Sequence, residues 1–228
     1  MAKFITDGSI ADFQTFVLQV YGLPDDRLFS LPDLLTHQQR FTMRALKGIR
    51  KGDVKKIKIN LMISLSWAAA VANRLHINLE DVIWNRFPAL CSYCGHCPCK
   101  CKKIKLSKRV KINPQACLKP GTLAGFQKMF AKIYPPKTRS LAEAGIHLAE
   151  EMGELSESIH YFFGEHKKSS FPSIVEEIAD YVSCIFGVAS SRDISLASEL
   201  AKIYNDNCHV CHKSPCECNF SAVASIHT

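Results

Sequence analysis

One irregular cysteine spacing, C-x2-C-x4-C-x-C, occurs twice in this chain, and it constrains the fold more than any other feature. It runs once through Cys91, Cys94, Cys99 and Cys101 and again through Cys208, Cys211, Cys216 and Cys218. Chance does not repeat such a pattern. Eleven cysteines are present, an odd number, and nine lie in these two clusters, Cys97 being the one outside the repeated spacing. With no signal-peptide pattern in MAKFITDGSI, they read as metal sites and not as a disulfide framework, which places the chain in the cytoplasm. Four thiolates suit a structural Zn2+, giving two sites. An iron–sulfur cluster takes the same ligand number. The short loops leave open whether one ion draws ligands from both clusters, and His96, His209 and His212 are alternative ligands. Cys117 and Cys184 read as buried thiols.

The repeat extends beyond the cysteines. GSIADFQ (8–14) matches GTLAGFQ (121–127), Ser30 and His37 match Ser140 and His147, and INL (77–79) matches ISL (194–196). The chain therefore divides into a unit at 8–101, a basic linker at 102–120, a second unit at 121–218 and a C-terminal tail at 219–228. Helical periodicity is strong in both units. Ile10, Phe13, Phe16, Val17 and Val20 share one face. So do Leu141, Ala144, Leu148, Met152, Leu155 and Ile159, in a helix over 139–163. Further helices are expected at 172–189 and 194–206. The apolar window 59–72 is too short for a bilayer and reads as a buried helix. The one candidate for strand is a hairpin at 103–113. The fold class is all-α, with four helices per unit and a small cysteine module closing each.

Charge divides unevenly: residues 1–120 carry net +12 and residues 121–228 carry net −4. From Lys100 to Lys111 there are seven basic residues and no acid. Such a run is either a solvated linker or a contact for nucleic acid or phosphate. It lacks interleaved aromatics for base stacking.

The sharpest chemistry lies in the second unit. Glu151 and Glu154 are three residues apart on one expected helix, and Glu177 and Asp180 are three apart on the next. Each pair projects from one face. Antiparallel packing would bring four carboxylates together, and Mg2+ would neutralise them. Gly153 leaves room there for a helix or a ligand. The alternative is that these are ordinary acids on solvated helix faces.

The arrangement Glu150, Glu151, Glu154 followed by Glu177 and Asp180 on consecutive helices resembles the MazG-like all-α nucleoside triphosphate pyrophosphohydrolases. The likeness covers about residues 122–207. It implies Mg2+ held by Glu151, Glu154, Glu177 and Asp180, with Glu150 orienting water. It implies cleavage of a nucleoside triphosphate to monophosphate and pyrophosphate. Lys202 and Asn205 resemble the family's late Lys and Asn, and Lys137 and Arg139 are further phosphate candidates. The first unit departs from the pattern, because Arg40, Phe41, Arg44, Asn60 and Ile63 stand where the acids would be. The likeness thus implies one active and one degenerate unit, packed as a pseudo-dimer within a monomer or as a homodimer. Trp67 and Phe41 are candidates for a base-binding wall. The alternative is an inactive zinc protein that binds a nucleotide or nucleic acid.

Overall fold

The computed structural model describes residues 1–219. Residues 220–228, most of the expected tail, lie outside that range. Eight α-helices and three 3-10 turns make up the secondary structure, and no strand occurs among the described residues. The helices are α1 (Ile10–Leu28), α2 (Leu31–Lys51), α3 (Val54–Arg74), α4 (Leu79–Arg86), α5 (Leu123–Ile133), α6 (Leu141–Glu165), α7 (Phe171–Ser190) and α8 (Leu196–Ile203).

Local sequence sets where they start. Ser9, Ser30 and Ser140 each accept from the backbone N–H three residues on, and Asp12, Asp33 and Glu143 return the bond to the cap. These capping boxes satisfy first-turn N–H groups that have no partner within the helix. Thr122, Asn78 and Ser195 cap α5, α4 and α8 with one side-chain bond each.

The expected hairpin at 103–113 does not form. Three backbone bonds tie the segment to the first cysteine module, from Lys103 and Ile104 N–H to Lys100 O and from Val110 N–H to Tyr93 O, and the Tyr93 hydroxyl donates to Leu106 O at 2.8 Å. Alternating Lys and apolar residues gave the segment a strand pattern. With no second strand to complete a ladder, it is instead a loop tied to the module.

The long helices α2, α3, α6 and α7 form a central bundle, in which α2 packs on α3 and α6, and α7 packs on α6 and α3. Gly145 lets α6 close on α2, since a Cβ there would lie 3.0 Å from Ile49 Cδ1. Inside the bundle, Leu61, Met62, Ile178, Ile185 and Phe41 are fully or almost fully buried. No helix is long and apolar enough to cross a membrane, among the described residues.

The outer helices pack in matching sets. α1 lies on α3 and α5 lies on α7, while α4 crosses onto α7 and α8 onto α3. Gln14 donates to Ile77 O at 2.7 Å and accepts from Leu79 N at 2.9 Å. Gln127 donates to Ile194 O at 2.7 Å and accepts from Leu196 N at 3.0 Å.

A small polar cluster sits deep in the bundle. Tyr181 of α7 is fully buried, and its hydroxyl meets Thr42 Oγ1 of α2 at 2.7 Å. Thr42 also donates to Gln38 O at 2.8 Å. Tyr181→Phe therefore leaves no bare carbonyl, and we expect a cost of about 1 kcal/mol by urea unfolding. Tyr181→Ala is expected to cost roughly 4 kcal/mol through the cavity it leaves. Equal effects of the two would mean that packing is not what Tyr181 contributes.

Candidate metal centres and the carboxylate cavity

Each cysteine set closes on itself. All four Sγ atoms of Cys91, Cys94, Cys99 and Cys101 lie within 4.8 Å of one another, as do those of Cys208, Cys211, Cys216 and Cys218. The shorter sulfur–sulfur separations are 3.6 Å (Cys91–Cys101) and 3.9 Å (Cys94–Cys99) in the first set, and 3.4 Å (Cys208–Cys216), 3.8 Å (Cys208–Cys218) and 3.8 Å (Cys211–Cys216) in the second. A tetrahedron of Zn–S bonds has edges of about 3.8 Å. Each set can therefore hold one Zn2+, with no ligand shared between sets.

Backbone N–H groups also point at the sulfurs, from Lys100 to Cys94 and from Glu217 to Cys211, both at 3.4 Å. Burial raises Cys94, but N–H bonds from Lys100 and His96 outweigh it and hold the thiol down to about 6. Hydrogen bonding from Cys216 first, then backbone N–H groups, holds Cys208 down to about 4. Burial of Cys101 and hydrogen bonding of Cys216 to Cys208 raise those two thiols. Several close sulfurs cannot all ionise without a cation among them.

The histidines are not part of these groups: His96 bonds Cys94 O, and His209 bonds the Tyr21 hydroxyl. Cys184 is buried as expected, but Cys117 is exposed, because the 3-10 turn at Ala116–Leu118 buries none of its residues.

Each module docks on a helix from the other half of the chain. Cys216 N–H donates to Val20 O of α1, and Cys99 N–H donates to Ile133 O of α5, both at 2.7 Å. Sequence explains the open acceptors. Pro24 lies within α1 and lacks the N–H that would bond Val20 O. Ile133 ends α5, just ahead of Pro135 and Pro136.

The acidic residues of α6 and α7 meet beside the first module. Oxygens of Glu151, Glu177 and Asp180 all lie within 4.8 Å of one another. Ligands on opposite sides of Mg2+ are about 4.2 Å apart, so small side-chain movements would close this set on an ion. Asp180 is buried, and Glu151 Oε2 and Glu177 Oε2 are buried with no hydrogen-bond partner. An all-oxygen donor set with unpaired buried oxygens fits a hard divalent cation. Glu154 is exposed and outside this trio, although its charge helps raise Glu177. Glu150 is exposed and outside the trio too. Gly153 faces open space, with nothing within 4 Å of where a Cβ would sit.

Three neighbours of the trio escaped the sequence reading. Arg86, the last residue of α4, donates to both Asp180 oxygens, at 3.0 and 2.5 Å, and to Glu176 at 2.7 Å. Arg109, from the basic loop, reaches within 3.9 Å of Asp180 and 4.0 Å of Glu176. His147 bonds Glu151 at 3.1 Å and meets Cys184 Sγ at 3.5 Å. Contact with Cys184 first, and with Glu151 second, raises this imidazole to about 10. The unit alignment held a clue to Arg86, because the cysteine offset sets it opposite the apolar Ile203.

A cavity of about 650 Å³ opens onto this site. Asp180 and Glu151 line one side, and Lys100, Lys102, Lys103 and Arg109 line the side made by the module. Phe87, Tyr93 and Tyr134 supply aromatic surface. The expected wall residues do not line it. Phe41 is fully buried with Arg40 and Arg44 over its ring, and Trp67 stacks on His37 at 4.6 Å in the first half. The other phosphate candidates separate. Arg139 lines the cavity, whereas Lys137 and Asn205 are exposed and do not line it. Lys202 also stays outside it and pairs with Glu199.

Burial first, then Asp180, Glu154 and Glu151, raise Glu177 from an ordinary 4.5 to about 7. Burial first raises Asp180 to about 6, against the pull of Arg86. Both values exceed those of the unfolded chain, so the folded state binds these protons more tightly. The resulting stabilisation is full below about pH 4 and is lost as pH rises through about 6 to 7. We expect the melting temperature of the chain without added Mg2+, relative to Glu177→Gln, to fall across that window. Added Mg2+ should raise it above about pH 7 and not below about pH 5. A Mg2+ response of equal size at both ends would break the link to these carboxylates.

Comparison with protein families, with curated proteins and with solved structures finds no match to this chain.

Proposed function

We propose that this chain is a Mg2+-dependent nucleotide pyrophosphohydrolase of the MazG-like kind. In this reading it is a tandem of two four-helix units packed as a pseudo-dimer, the first of them degenerate. The observation that carries the proposal is the convergence of Glu151, Glu177 and Asp180 within 4.8 Å, two of their oxygens buried and unpaired. The matching outer-helix contacts support the tandem arrangement. The thiol-rich modules fit a reducing, cytoplasmic setting.

Mg2+ bound here supplies charge neutralisation at phosphate oxygens and a polarised water. Glu151, Glu177 and Asp180 would hold it, with Glu154 a turn away. His147 orients Glu151 through their 3.1 Å contact, and Arg86 orients Asp180 by bonding both of its oxygens. Phe87, Tyr93 and Tyr134 supply apolar aromatic surface for a base. Water attacking one phosphorus in line would release a nucleoside monophosphate and pyrophosphate.

Assay of the full chain against a panel of NTPs and dNTPs with Mg2+ tests this, with pyrophosphate and monophosphate as readouts. Failure to release either from every member of the panel, with zinc content intact, would remove the hydrolase. One observation favours a second reading, an inactive nucleotide-binding zinc protein: Arg86 already occupies both Asp180 oxygens. Nucleotide binding without turnover would select it.

A further inference from the structure

The cavity has a cationic side that the carboxylates do not use up. Lys100, Lys102 and Lys103 line it and form no ion pair among the described residues. Arg139 lines its inner wall, where its Nε is buried without a hydrogen-bond partner. The guanidinium lies over the backbone of α7, and a Cβ on Gly187 would come within 3.0 Å of Arg139 Cζ. Gly187 is therefore what admits this side chain. The half-buried side chain forms no ion pair among the described residues. Leaving it so costs free energy that an anion would recover.

We propose that the basic loop at 100–109, together with Arg139, is a cradle for the phosphoanhydride chain of a small ligand, facing the carboxylates across the cavity. The proposal rests on the nucleotide reading and deepens it, because it assigns recognition of the phosphates to the first cysteine module. Three observations converge on this ligand class. The loop is anchored to the module by Val110 N–H to Tyr93 O and by Tyr93 Oη to Leu106 O, so its cations are held near the site. Arg109 reaches within 3.9 Å of Asp180, so the loop carries a cation to the edge of the carboxylate trio. Finally, the lysines line a chamber of about 650 Å³, a volume typical of small-molecule pockets. A duplex would need an open groove, so the basic run favours a small polyanion over nucleic acid.

The test is calorimetric titration of the full chain with sodium tripolyphosphate, with and without Mg2+, at low and at physiological salt. The wild type should bind, more weakly as salt rises. Lys102→Ala/Lys103→Ala should bind at least ten-fold more weakly with an unchanged melting curve, since both side chains are exposed. Arg139→Gln should weaken binding too. Wild-type chain that binds no tripolyphosphate, or a double variant that binds it as well as wild type, would overturn the cradle. So would tight binding of a nucleic-acid oligomer that tripolyphosphate fails to compete away. Because the readout is binding, the two proposals separate. Tripolyphosphate binding lost in the double variant, with no nucleotide hydrolysed by wild type, keeps the cradle and removes the hydrolase. Hydrolysis with the same KM in wild type and double variant removes the cradle and keeps the hydrolase.

Discussion

Asp180→Asn should reduce Mg2+-dependent pyrophosphate release by roughly a thousand-fold, about 4 kcal/mol of transition-state stabilisation. The amide keeps the shape of the side chain but not its charge, and a hard divalent ion depends on that charge. Asp180 is the most buried of the three carboxylates and the one whose two oxygens Arg86 bonds. The fold should survive, because the substitution relieves repulsion with Glu151 and leaves Arg86 paired with Glu176. A melting temperature close to wild type, with activity gone, is the expected pair of results. Activity within a few-fold of wild type would mean that the trio is not the metal site. Glu150→Gln should do far less, since that side chain is exposed and lies outside the trio.

Cys216→Ser should halve the zinc content, from two ions per chain to one, as read by mass spectrometry of the intact protein. Structural zinc contributes on the order of 10 kcal/mol in small isolated modules. Here a large helical core remains, so roughly half that loss is a reasonable expectation. At about 2–4 °C per kcal/mol for a chain of this size, the melting temperature should fall by roughly 10–20 °C. The damage should not stay within the second module, because Cys216 N–H is bonded to Val20 O of α1. Hydrogen exchange in α1 should therefore rise along with that in the module. Full retention of two zinc ions in the variant would show that the other three thiolates hold the metal without Cys216.

Most of the helical framework was legible in the chain itself. Ser30 and Ser140 announce helices three residues ahead of Asp33 and Glu143, and the structure builds a capping box at each. The buried helix read from 59–72 lies within α3, and the cysteine spacing delivered both four-sulfur sets. Of the four acids read as two helix-face pairs, Glu151, Glu177 and Asp180 come together and Glu154 does not. What the chain hid depends on packing between distant segments. Arg86 reaches Asp180 only because α4 crosses onto α7, ninety-four positions away. Nothing local in IWNRF marks that arginine as a partner. The 103–113 loop misled for a related reason. Alternation of charge and apolarity describes a strand only if a neighbour exists to pair with, and here a tyrosine of the module holds the segment instead.

Pro24 offers a last consequence. By withholding one N–H it turns a carbonyl in the middle of α1 into a socket, and the distant second module plugs into it. The first module plugs into the end of α5 in the same manner. Each half thus carries the clasp that fastens the other. A chain cut in the connecting loop would yield two fragments, neither able to finish folding by itself, which would have to find one another to become stable.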